Sequence, residues 1–311
     1  MILPSIIEAI GQTPLVELSR IREVLSLEGR LLAKCDYLNP GFSKKDRAAR
    51  AVIEGARASG ALMPGQTVVE LTSGNMGTGL AITCGVLGHP FVAVMSEGNS
   101  EERARMMRAL GAEVALVPQL PGSKPGEVSG GDLALVAEAA QAIADERGAF
   151  RADQFRLPEN AMTHESGTAP EIWAQSGGRV TAFCDFIGSG GTLGGCARFF
   201  AGKPVRCYAV LPDRPDHPIQ GGGYGMADLS HLAGVTLAGE ETVSGPEAAE
   251  FARLLARWEG IFGGYSAGAN LAAAVRLLQG PEAGGTVAFV VCDSGLKYLS
   301  TDLWGETCRT R

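Results

Sequence analysis

Short runs of β-branched and other apolar residues alternate along this chain with longer stretches of helical periodicity. The runs fall at 30–38, 66–71, 90–95, 112–117, 181–187, 205–211, 260–265 and 286–292. Between them, helices are expected at 45–59, 76–87, 99–110, 131–147, 158–176, 191–201, 246–258 and 267–279. Within a run such as "TVAFVVC" (286–292) the apolar residues are continuous, not alternating. A strand that is apolar on both faces has to be covered on both, and helices do this in layered, mainly parallel α/β sheets. At 311 residues the chain has room for two such domains. The rhythm breaks at "AFRADQFRLPEN" (149–160), which places a domain change near residue 150. The Pro/Gly-rich segment 118–130 is expected to be a surface loop. The irregular stretch 212–229 is too long for a plain connector and belongs to the kind of loop that lines binding sites.

Several function classes are disfavoured. A formal net charge of −7 argues against nucleic acid or an anionic membrane surface as partner. No apolar run approaches the roughly 20 residues that span a bilayer. The N-terminus, "MILPSIIEAIGQTPL", has no basic leader region, so a cytoplasmic enzyme is expected. The seven cysteines are scattered without a C-x-x-C pair and are expected to be reduced and structural. The four histidines, at 89, 164, 217 and 231, have no metal-site spacing, and no metal is expected.

Three turns at strand ends carry small and polar residues. "TSGNMG" (72–77) opens a helix after a strand, and its hydroxyls, Asn75 and free N–H groups suit a carboxylate or a ring hydroxyl. "GSGGTLGG" (188–195) puts glycines, Ser189 and Thr192 at a helix N-terminus, which makes a phosphate cradle. It is not a dinucleotide fingerprint, because Leu193 stands where G-x-G-x-x-G needs glycine, and no Gly-Lys-Ser/Thr follows. "VVCDSGLKY" (290–298) ends a strand with Asp293 and Ser294, either as a ligand edge or as a structural Asx or Ser turn.

"NPGFSKKDR" (39–47) raises a different question, since a helix N-terminus already carries partial positive charge and does not favour cations. Ser43 is expected as N-cap, with Asp46 three residues on. Helical phase puts Lys45 amid Ala48, Ala49, Val52 and Ala56, whereas Asp46, Arg47, Arg50, Glu54 and Arg57 form a charged arc. Lys45 is therefore expected to face the core or a cleft, and Lys44 to reach water. A buried lysine beside a helix N-terminus has a destabilised ammonium, which suits Schiff-base chemistry. A snorkelling lysine would share the same pattern. Together with a phosphate cup and a serine able to meet a ring nitrogen, Lys45 suggests pyridoxal 5′-phosphate.

At this point the chain resembles a known family. "GQTPL" (11–15), "NPGFSKKDR", "TSGNMG", "SEERARMMRALGAE" (100–113), "GTAPEIW" (167–173), "GSGGT", "YSAGANLAAA" (265–274) and "DSGLKYLST" (293–301) resemble, in order, the cysteine synthase and cystathionine β-synthase family. The resemblance implies fold type II of the pyridoxal-phosphate enzymes, like the tryptophan synthase β chain. Two open twisted-sheet α/β domains, 36–149 and 1–35 plus 150–311, would hold the cofactor in the cleft between them, usually in a homodimer. It implies Lys45 as the lysine that holds the cofactor and later shuttles the substrate's α-proton. Asn75 would contact the 3′-hydroxyl, Gly188, Ser189, Gly190, Gly191 and Thr192 the phosphate, and Ser294 the pyridine nitrogen. Thr72, Ser73, Gly74, Met76 and Gln154 would meet the substrate, with Thr72, Ser73 and Gln154 on its carboxylate.

The activity implied is β-replacement on an O-activated L-serine, O-acetylserine or O-phosphoserine, through an aminoacrylate. Sulfide would be the small nucleophile and L-cysteine the product. The alternatives are a synthase using an amine or another thiol, or a β-eliminating lyase or dehydratase. The departures from the family pattern are Met76 for the usual threonine, Phe42 for a glycine beside the cleft, and the loop 217–229. All of them concern the substrate rather than the cofactor.

Overall fold

A computed structural model describes residues 2–123, 128–215, 217–223 and 229–305. The described residues form ten strands: β1 (Leu15–Glu17), β2 (Arg30–Lys34), β3 (Val68–Leu71), β4 (Phe91–Ser96), β5 (Glu113–Val117), β6 (Phe150–Arg151), β7 (Ala182–Phe186), β8 (Arg206–Pro212), β9 (Gly239–Val243) and β10 (Thr286–Val290). They form a six-stranded sheet in the order β1-β2-β10-β7-β8-β9 and a four-stranded sheet in the order β5-β4-β3-β6. Every pairing is parallel except β1 with β2. The central strands β3, β4, β7 and β10 are buried at every residue, as continuous apolar runs require.

The helices are α1 (Ser19–Val24), α2 (Lys45–Ser59), α3 (Asn75–Leu87), α4 (Glu101–Ala109), α5 (Gly130–Arg147), α6 (Glu159–Thr163), α7 (Ala169–Gln175), α8 (Gly191–Phe200), α9 (Gly245–Glu259) and α10 (Tyr265–Gln279). Each sheet is covered on both faces. On the larger sheet, α1, α9 and α10 close one face and α7 and α8 the other. On the smaller sheet, α2, α3 and α4 close one face and α5 the other. The result is the two-sheet α/β architecture expected from the sequence.

Some elements differ from expectation. The run 260–265 is not a strand. Gly260 takes a left-handed conformation that ends α9, and only an isolated bridge, Gly263 with Ser294, forms. Its apolar residues Ile261 and Tyr265 fill the core instead. The single helix expected over 158–176 is α6, one π-helical turn (His164–Thr168) and α7. β6 lies just past residue 149 yet pairs with β3 in the smaller sheet. The loops 118–130 and 217–229 each fall partly outside the described residues. The same holds for Cys308, while the other six cysteines are free and buried.

Candidate active site

The carboxyl ends of β3, β6, β7 and β10 converge with the N-termini of α2, α3, α8 and α10, so loops and helix N-termini from both sheets surround one cleft. It consists of two adjoining cavities of about 450 Å³ each, which share Lys45, Asn75, Gly188, Ser189 and Gly221. The inner cavity is floored by Lys44, Asp185, Ser266 and Cys292, and all five residues of 188–192 line it. The outer cavity is walled by Thr72, Ser73, Met76, Arg103, Leu133, Gln154 and Phe155.

Lys45 is the first residue of α2, and the Ser43 Oγ accepts its backbone N–H at 3.3 Å. The N-cap position itself is Lys44, one residue later than expected. Ala48, Ala49, Val52 and Ala56 are buried, so the phase that turned Lys45 inward holds. Its Nζ donates to Ser189 Oγ at 3.1 Å, across 144 residues of sequence. Burial first, and the neighbouring Lys44 ammonium second, bring its pKa down to about 8. A lysine whose proton affinity is lowered toward neutral pH and which sits in a cleft can act as a nucleophile or a base.

Lys44 does not reach water. It is buried against Asp185 of β7, with Nζ 2.8 and 2.6 Å from the two carboxylate oxygens. The charged arc of α2 is only partly solvated: Glu54 and Arg57 are exposed, but its N-terminal part is not. Asp46 and Arg47 are buried, and the Arg47 guanidinium donates to both oxygens of Asp36 and both of Glu171. Helical phase located the inward face but missed that α2 is packed on its other side as well, near α6.

The 188–192 turn leads into the first turn of α8. Its glycines are a steric requirement: a Cβ on Gly191 would stand 2.4 Å from Asn160 Oδ1. Asn160 Nδ2 donates to Ser189 Oγ at 2.9 Å and to the Gln154 carbonyl at 2.6 Å. The Thr192 hydroxyl lies 3.3 Å from Nε2 of buried His164, which burial keeps neutral. A helix N-terminus with two hydroxyls and a lysine close by can receive a phosphate dianion.

On the β3–α3 turn, Thr72 Oγ1 accepts the N–H groups of Gly74 and Gly77, both at 2.9 Å. With both acceptor sites engaged, its remaining capacity is to donate, which suits a carboxylate. Asn75 is pinned from both ends of its amide: Nδ2 donates to Asp293 Oδ2 at 2.7 Å, and Oδ1 accepts from Lys297 Nζ at 2.8 Å. Gln154 lines the outer cavity, but its amide N–H groups go to Glu70 Oε1 and the Leu71 carbonyl. Gly74 shapes the turn and does not line the cleft.

One expected cofactor contact stands elsewhere. Ser294 is absent from the cleft lining, and its Oγ accepts the Leu296 N–H at the start of a 3-10 turn. Ser266, in the first turn of α10, is the serine on the cleft floor. The signal for it was present in "YSAGANLAAA", a serine opening a helix of small residues. Phe42 is not among the residues lining either cavity. Its side chain is 42% exposed, and its φ of +62° places it where a glycine would sit without strain.

The family model for pyridoxal-phosphate dependent enzymes matches residues 6–293 of this chain. The chain belongs to that family. Its curated relatives include cysteine synthase 3 of Caenorhabditis elegans, 36% identical over 96% of this chain and 89% of that protein. O-ureido-L-serine synthase of Streptomyces lavendulae is 37% identical over 96% of this chain and 92% of that protein. Among solved structures, the O-acetylserine dependent cystathionine β-synthase from Helicobacter pylori superposes with a TM-score of 0.89 at 29% identity. It covers 98% of this chain and 100% of its own. An O-ureido-L-serine synthase structure gives 0.85 at 35% identity, covering 100% of this chain and 98% of its own. As a pyridoxal-phosphate dependent enzyme the protein uses that cofactor, and the cleft fits it: a lysine of lowered proton affinity stands next to a glycine-lined cup at a helix N-terminus. No cluster of metal-binding side chains occurs among the described residues, and no helix among them is long and apolar enough to cross a membrane.

Proposed function

We propose that this enzyme performs β-replacement on an O-substituted L-serine, with sulfide as nucleophile and L-cysteine as product. The observation that carries this reading is Lys45 facing both the 188–192 cup and the Thr72–Ser73 turn across one cleft. Relatives that are a cysteine synthase and an O-ureido-L-serine synthase support it.

Lys45 is the residue that holds pyridoxal 5′-phosphate. The N–H groups and hydroxyls of 188–192 bind its phosphate, Asn75 meets the ring hydroxyl, and Ser266, in place of Ser294, faces the ring nitrogen. The bound cofactor supplies an electron sink that acidifies the Cα–H of the amino acid joined to it. The Thr72 hydroxyl and Ser73 hold the substrate carboxylate, while the N–H groups of Gln154 stay on Glu70 and Leu71. Lys45 Nζ, whose proton affinity is lowered to a pKa of about 8, takes the proton from Cα and later returns it. The leaving group departs from Cβ, and the nucleophile enters there from the outer cavity. The working form in this reading is a cytoplasmic homodimer.

A second reading keeps the cofactor and changes the nucleophile to an amine or a larger thiol. Met76 favours it, because the buried thioether lines the outer cavity where the family places a hydroxyl. Incubation with O-acetylserine or O-phosphoserine and a panel of sulfide, thiols and amines, followed by mass analysis of the amino-acid product, separates the two. Fast formation of cysteine from sulfide is expected. A product formed only with an amine would establish the second reading.

A further inference from the structure

Lys44 and Asp185 line the inner cavity beside Lys45, and the chemistry above uses neither. Both are buried, and Lys44 Nζ contacts both carboxylate oxygens of Asp185. Asn270 Nδ2 donates to Asp185 Oδ1 at 3.3 Å, and the Cys292 thiol lies 3.7 Å from the same oxygen. A buried ion pair is weak evidence for stability, since apolar residues of similar volume often serve as well or better. Its position therefore calls for another explanation.

The other titratable groups acting on Lys45 carry little charge near neutral pH. Glu70 of β3 is pushed up to about 8 by burial, and the Cys292 thiol up to about 12. His164 of the π turn and His231 of the 3-10 turn 230–232 are both pushed down by burial. Lys44, from the adjoining backbone position, and Asp185, from β7, are thus the charges that remain beside it in the inner cavity, with the Arg103 guanidinium on the outer one. The two ends of the pair act on Lys45 in opposite senses, the ammonium more strongly than the carboxylate.

We propose that Lys44 and Asp185 are a positioning pair: Lys44 is a fixed positive charge that favours loss of the proton from Lys45 Nζ, and Asp185 holds it there while keeping the cleft floor neutral overall. Neither residue touches the reacting atoms in this account. The proposal concerns the lysine that carries the cofactor, so it does not depend on which serine derivative or nucleophile is used.

The test is the pH dependence of the bound cofactor's absorption in purified holoenzyme. Lys44→Met removes the cation and leaves Asp185 unpaired, so the midpoint of the absorption change should rise by about one pH unit or more. The Lys44→Met/Asp185→Asn double variant removes both charges and should return the midpoint toward that of the wild type. Lys44→Arg keeps the cation and should leave the midpoint in place. If Lys44→Met does not fold, Lys44→Gln must give the same upward shift. A midpoint that is unchanged or lowered in the variant lacking the cation would overturn the proposal. So would a double variant whose midpoint stays as high as that of the single.

Discussion

Thr72, Lys45 and Glu70 show how single side chains acquire their chemistry from neighbours far away in sequence. Thr72 becomes a donor because two N–H groups occupy its acceptor sites. Lys45 loses proton affinity through burial and Lys44. Lys45→Ala should bind the cofactor without its characteristic absorption and lose activity by several orders of magnitude, checked by spectrum and turnover. Glu70 is a buried acid whose pKa is raised from 4.5 to about 8. Between those values the folded chain still holds the proton that the unfolded chain has released. Its contribution to stability is therefore complete below about pH 4.5, falls as pH rises toward 8, and is level above. Glu70→Gln removes this loss, so the difference in melting temperature between variant and wild type should grow from pH 5 to pH 8. At this scale the inward face of Lys45 was legible, because it depends on local periodicity. The burial of Lys44 was not, because Asp185 is 141 residues away. Ser266 was not legible as the cleft serine, because it and Ser294 both open turns at helix starts and only packing decides which one faces the cleft.

Elements were legible where strands are buried on both faces. β3, β4, β7 and β10 have continuous apolar sequences and were all expected. β9, "GEETV", is an edge strand with an alternating burial pattern and little apolar sequence, and β1 and β6 have three and two residues. The sequence 260–265 looked like a strand because its apolar residues are contiguous, but its glycines bend it to deliver α10 to the cleft. α10 lies so close to α9 that a Cβ on Gly268 would stand 1.9 Å from the Ala248 carbonyl oxygen. Gly268→Ala should therefore cost about 3 kcal/mol of stability, at the upper end of usual overpacking penalties, in a denaturant titration.

At the scale of the whole molecule, α2 packs on the smaller sheet and is tied by its side chains to elements of the larger. Its N-terminus carries Lys45, and its Arg47 ties Asp36, which follows β2, to Glu171 of α7. Lys34 of β2 joins the same cluster through Glu171 at 2.6 Å. Arg47→Met leaves Asp36 as a buried carboxylate without its guanidinium and should destabilise the protein by about 3–5 kcal/mol, measurable by equilibrium unfolding. The two-domain plan was legible because each sheet has its own set of apolar runs. The position of the active site within it was legible because its turns carry glycines and hydroxyls at the carboxyl ends of strands.

In the proposed function, Lys45 works in this cleft with pyridoxal 5′-phosphate on the β-carbon of an O-substituted serine. The most direct measurement adds O-acetylserine alone to the yellow holoenzyme and follows the cofactor's absorption together with acetate release. A rapid spectral change, stoichiometric acetate, and recovery of the starting spectrum on addition of sulfide are expected. A spectrum that does not respond to O-acetylserine, O-phosphoserine or serine, with no leaving group released, would contradict it.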